Sequence, residues 1–93
     1  MITIILQFEV SCFIEWKRIY NSNEALRTQN NIVTKDIFVS LENFDWVTCI
    51  VEAPTIKDFE DHFYHQPQVI DELLKSAIIS QPKVTYCHKI NAL

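Results

Sequence analysis

Ile2-Thr-Ile-Ile-Leu-Gln-Phe-Glu-Val10 runs directly into Ser11-Cys-Phe-Ile-Glu-Trp-Lys-Arg-Ile-Tyr20, and the apolar period changes between the two. In the first half Ile2, Ile4, Leu6, Phe8 and Val10 alternate with Thr3, Ile5, Gln7 and Glu9. Period two with β-branched residues predicts a strand. In the second half Phe13, Trp16, Ile19 and Tyr20 recur at helical spacing around Glu15, Lys17 and Arg18, and Ser11 stands where an N-cap is expected. Asn21-Ser22-Asn23 interrupts that helix because short polar side chains compete for its backbone hydrogen bonds; Glu24 to Arg27 resumes it for one or two turns. Asn30 and Asn31 are predicted as left-handed caps, a role usually taken by glycine.

Further along, Val33 to Leu41 and Trp46 to Ala53 alternate as two strands joined by a hairpin over Glu42 to Asp45. Pro54 closes the second of these, and Thr55 with Asp58 predicts a capped helix start with the stripe Ile56, Phe59 and Phe63. Pro67 is expected to break or restart that helix, and Val69, Ile70, Leu73, Leu74 and Ala77 form its second apolar stretch. The last strand is predicted from Lys83 to Ile90. The order β-α-β-β-α-β is the ferredoxin-like, split βαβ arrangement of an α+β protein. Right-handed crossovers place strands one and three in the centre of an antiparallel four-stranded sheet, with both helices on one face. Yet the strands are apolar on both parities: Ile5, Phe38, Trp46, Ile50 and Cys87 form one set, Leu6, Val39, Val47, Val51 and Tyr86 the other. Whichever set meets the helices, the other is expected to be covered by a second sheet, that of another copy of the chain in a homodimer.

Composition narrows the remaining possibilities. With 93 residues the chain supports one domain over residues 1–93, and 48% hydrophobic content excludes disorder. A net charge of −4 with no clustered cations argues against nucleic acid. The chain has no glycine, so no Walker or Rossmann phosphate loop is available. Cys12, Cys49 and Cys87 are odd in number and widely spaced, which predicts free thiols in a reducing cytoplasm. No apolar run reaches the ~20 residues of a membrane span, and Met1 to Leu6 lacks the basic flank of a signal peptide.

Several of these segments together resemble a known family. Phe13 to Tyr20, Leu26-Arg27, Val47 to Ala53, Phe63 to Pro67 and Val84 to Tyr86 are similar to the dimeric α+β barrel superfamily, which includes antibiotic-biosynthesis-monooxygenase-like proteins. The similarity is greatest to its short bacterial members of unknown function. The resemblance implies a homodimer in which the space between helices and sheet takes a small apolar or aromatic molecule. Two departures stand out: relatives tend to have glycine near Asn30 and Ile78, and many carry a histidine where this chain has Phe8. The second removes the expected general base, so no catalytic residue is assigned.

The residues expected to line that space are Phe8, Trp16, Tyr20, Phe59, Phe63 and Tyr86, with His62 and His65 at its rim. Aromatic residues at helical spacing equally describe a packed core. Asp58, Asp61, His62 and His65 fall on one helical face at ligand-like spacing, but a solvated face opposite Phe59 and Phe63 needs the same residues. No metal, haem or flavin is expected. Two functions remain: a homodimeric ligand-binding or accessory module without its own cofactor, or a cofactor-independent monooxygenase or isomerase acting on a small aromatic or polyketide-like molecule.

Overall fold

Strand β1 (Ile2–Glu9) lies in the middle of the sheet and pairs antiparallel on both sides, with β3 (Trp46–Ala53) and with β4 (Lys83–Cys87). The computed structural model describes residues 1–61, 65 and 78–90. Strand β2 (Val33–Val39) pairs antiparallel with β3, giving the order β2-β3-β1-β4. Helices α1 (Phe13–Ser22) and α2 (Glu24–Gln29) connect β1 to β2, and α3 (Ile56–Phe59) begins the connection from β3 to β4. The ferredoxin-like α+β arrangement with β1 and β3 central is therefore the observed one. Phe63 and the stretch Val69, Ile70, Leu73, Leu74 and Ala77, with Pro67 before it, lie outside the described residues.

The register places the two apolar sets on opposite faces. Ile4 faces Val51 and Tyr86, Leu6 faces Cys49 and Val84, and Phe8 faces Val47. Ile4, Val47, Cys49 and Val51 on this face are fully buried, together with Trp16 of α1 and Phe59 of α3, so the helices cover it. Ile5 opposite Ile50 centres the other face, with Phe38 and Trp46 diagonal to each other at one end. Phe38 is 54% exposed and Trp46 40%, whereas Thr3, Gln7, Thr48 and Glu52 interleave with them. That face is more polar than the strand alternation predicts, and its apolar part is a stripe.

Element ends differ from expectation for local reasons. The β1 ladder ends at Glu9, and Val10 stays at the sheet as its alternation predicts, donating its N–H to the Asp45 carbonyl and bridging Ile78. The N-cap of α1 is Cys12 rather than Ser11: its carbonyl accepts from the Trp16 N–H, its geometry is extended and it has no side-chain cap, while Ser11 is exposed outside the helix. Strand β2 stops at Val39 rather than Leu41; its register shifts between Thr34 and Asp36, and Leu41 is fully exposed in the turn. Strand β4 ends at Cys87, leaving His88 to Ile90 beyond the ladder with β1. Of the two asparagines, Asn31 is left-handed at φ 59°, and Asn30 is not.

Thr55 caps α3 as its sequence indicates: Oγ1 accepts from the Asp58 N–H at 3.0 Å and donates to Asp58 Oδ2 at 2.9 Å. Thr55→Ala is expected to cost about 1 kcal/mol, the usual value of an N-cap, read as a lower urea midpoint that Thr55→Ser restores.

Candidate functional site

Among the described residues, aromatic rings fill the space between α1 and the centre of the sheet. Phe8 and Trp16 pack ring to ring at 5.3 Å, Trp16 and Phe13 at 5.8 Å, and Trp16 and Tyr20 at 5.0 Å. Phe8 and Trp16 are buried in the core, and Phe59 is wholly enclosed. Tyr86 leaves this interior: its side chain is part-exposed, its ring meets Phe59 edge-on, and its hydroxyl donates to Glu60 Oε1 at 2.5 Å. His65 is exposed and donates its backbone N–H to Glu60 O at 2.8 Å; His62 and Phe63 lie outside the described residues. Asp58 is engaged at the Thr55 cap and Asp61 with Lys57 at 2.5 Å, and the described residues hold no group of three metal-ligating side chains.

Open space lies at the β2 side of the helices. A groove of about 470 Å³ runs between α1–α2 and β2, walled by Lys17, Tyr20, Glu24 and Arg27 from the helices. Thr34, Val33 and Ile37 line it from the sheet. This volume falls within the ~300–1,000 Å³ of small-molecule sites. Tyr20 joins the groove to the core. Its hydroxyl shares a hydrogen bond with Thr34 Oγ1 at 2.5 Å and accepts from Cys49 Sγ at 3.5 Å, so the part-buried phenol is satisfied. Burial pushes Tyr20 well above the ordinary tyrosine range, with the neighbouring Cys49 adding to the shift. Burial likewise raises the Cys49 thiol. Both groups are therefore protonated at neutral pH.

Arg27 is the second defining residue. It is only 5% exposed, its Nη1 donates to the Tyr20 carbonyl at 2.7 Å, and its guanidinium carbon lies 3.7 Å from the centre of the Tyr20 ring. These contacts tie α2 back to α1 across the break at Asn23.

No protein-family model matches the chain, and no curated protein matches its sequence. Solved structures do match. An antibiotic-biosynthesis-monooxygenase-like protein of Bordetella bronchiseptica superposes with a TM-score of 0.76 at 14% identity, over 97% of each chain. SnoaB, a cofactor-independent oxygenase from Streptomyces nogalater, superposes at 0.72 with 12% identity, over 99% of this chain and 95% of its own. A NIPSNAP domain protein from Burkholderia xenovorans gives 0.69 at 9%, over 97% and 95%. The chain has the antibiotic-biosynthesis-monooxygenase fold.

Within that fold, sequence reasoning found Tyr20 but missed Arg27 as a site residue, because an arginine on a short helix reads as a solvated cation. The available signal was spacing: Tyr20 and Arg27 are seven residues apart, two helical turns, and so share a face if the helix continues past Asn23.

The raised Tyr20 and Cys49 make stability depend on alkali. The folded state keeps both neutral, whereas the unfolded chain ionises them near their ordinary values of about 10 and 8.5. Their contribution is thus complete below those values and declines as pH rises through them. Tyr20→Phe is expected to show a smaller drop in urea midpoint between pH 8 and about 10.5 than the parent. Parallel declines would contradict a part-buried, neutral phenol.

Proposed function

We propose that the protein is a homodimeric module that binds a small molecule in the groove between α1–α2 and β2, without a cofactor of its own. The observation that carries the binding role is Arg27, a buried guanidinium on the wall of a ligand-sized cavity. A buried polar group beside open volume gives a ligand both a place and an anchor.

Binding fits this groove better than catalysis. A general base works best when its pKa lies near the operating pH, and burial moves Tyr20 and Cys49 away from neutrality on the protonated side. Among the described residues no histidine lines the groove, and Phe8 occupies the strand-one position. The enzymatic alternative, a cofactor-independent monooxygenase or isomerase of small aromatic molecules, draws on the fold shared with SnoaB. The binding role is tested by NMR screening of a small-molecule library against labelled protein. Binders should shift the amides of Thr28, Thr34 and Ile37 first; binders that cluster elsewhere would overturn the assignment.

Dimerisation is supported by the outer face of the sheet. Ile5, Ile50, Phe38 and Trp46 make a continuous apolar stripe there, on the side away from the buried helix-facing set. A second sheet packed at about 10 Å removes it from water, with Thr3, Gln7, Thr48 and Glu52 supplying polar contacts around it. Ile50→Lys places a charge at the centre of that interface and is expected to give a folded monomer by light scattering. A variant that keeps the parent's dimeric mass would rule this face out.

A further inference from the structure

We infer that the groove receives a small organic monocarboxylate, its charged end held by Arg27 and its apolar body resting on Val33 and Ile37. This inference rests on the small-molecule-binding reading above.

The groove carries an imbalance of charge. A buried cation is costly unless it is paired or well hydrogen-bonded. Arg27 is 5% exposed, yet among the described residues no carboxylate lies within ion-pairing distance of it. Its compensation is one carbonyl, that of Tyr20, and the face of the Tyr20 ring. A guanidinium carries five N–H donors in a rigid fork that matches a carboxylate with two parallel hydrogen bonds. One bond to a carbonyl leaves most of that fork available on a residue that lines the groove.

Other groups in the groove narrow the ligand. Lys17 adds a second cation, held by Asn21 Oδ1 at 2.8 Å, and Glu24 adds one carboxylate. Two cations against one anion favour a single negative charge, and Glu24 disfavours polyanions. The Tyr20 ring already has Arg27 at 3.7 Å and Trp16 at 5.0 Å, so it is engaged rather than offered as a stacking platform. The remaining apolar wall is aliphatic. A volume of about 470 Å³ suits a molecule rather than a bare ion.

The test titrates the labelled full chain with hexanoate, with its neutral counterpart hexanamide and with inorganic phosphate, following the Arg27 Nε–H and the amides of Thr34 and Ile37 by NMR. Hexanoate should shift these resonances saturably and bind at least about tenfold more tightly than either of the others, as a charge-assisted pair requires. Lys17→Gln, on a part-exposed residue, should weaken hexanoate by about threefold; Arg27→Lys keeps the charge without the fork and should weaken it by about tenfold. Equal binding of hexanamide would overturn the carboxylate assignment while leaving a small-molecule site in place. Phosphate binding as tight as hexanoate would overturn the organic body. Unshifted resonances with both organic probes would overturn the inference together with the reading beneath it. Should Arg27→Lys fail to fold, the hexanoate-to-hexanamide ratio and Lys17→Gln still decide the matter.

Discussion

Trp16→Ala is expected to lower the unfolding free energy by about 3–5 kcal/mol, the range for truncating a buried aromatic side chain. Trp16 is 2% exposed and touches three other rings, Phe8, Phe13 and Tyr20, at centroid distances of 5.0–5.8 Å. It is therefore the contact through which α1 sits on the centre of the sheet, and removal opens a void between Phe8 and Tyr20 that neither ring can fill without leaving its own partners. Urea denaturation should show the loss as a lower midpoint, with Trp16→Phe intermediate. A Trp16→Ala midpoint equal to the parent's would mean that α1 is held by something other than this stack.

Arg27→Ala is expected to cost about 2–4 kcal/mol, combining a hydrogen bond from a charged donor with a desolvated cation–π contact. The Tyr20 carbonyl would lose its guanidinium donor, and α2 would lose its tie to α1 beyond Asn23. Arg27→Lys should recover only part, since an ammonium cannot cover the ring and reach the carbonyl with the same planar group. A loss below about 0.5 kcal/mol for Arg27→Ala, the level of ordinary surface substitutions, would place Arg27 on the surface instead.

What could be read from the chain alone follows the reach of each signal. Strand alternation has a period of two, so one buried position fixes the face of every other; Ile5, Phe38, Trp46 and Ile50 fall on one side and Leu6, Val39, Val47 and Val51 on the other, as their spacing requires. The break at Asn21 to Asn23, the Thr55–Asp58 cap and left-handed Asn31 were legible for the same reason: each is decided by neighbours within four residues. Ends and tips were not. Ser11 is not the N-cap, since the first helical bond runs from the Trp16 N–H to the Cys12 carbonyl. Leu41 continues an apolar alternation but sits in a turn beyond the last ladder pair, Val39 with Val47. The site divided along the same line: Tyr20 and Trp16 stand out as aromatic residues on a stripe, but Tyr86 bonds outward to Glu60, and Arg27 gains meaning only through its contacts with Tyr20 across the break at Asn23.

The proposed pairing of two sheets through Ile5, Ile50, Phe38 and Trp46 underlies the module, and its most direct test is the mass of the untagged protein in solution. Light scattering across micromolar dilutions should report about 22 kDa, twice the chain's 11.0 kDa, as a stable homodimer requires. A stable species at 11.0 kDa throughout the series would contradict it.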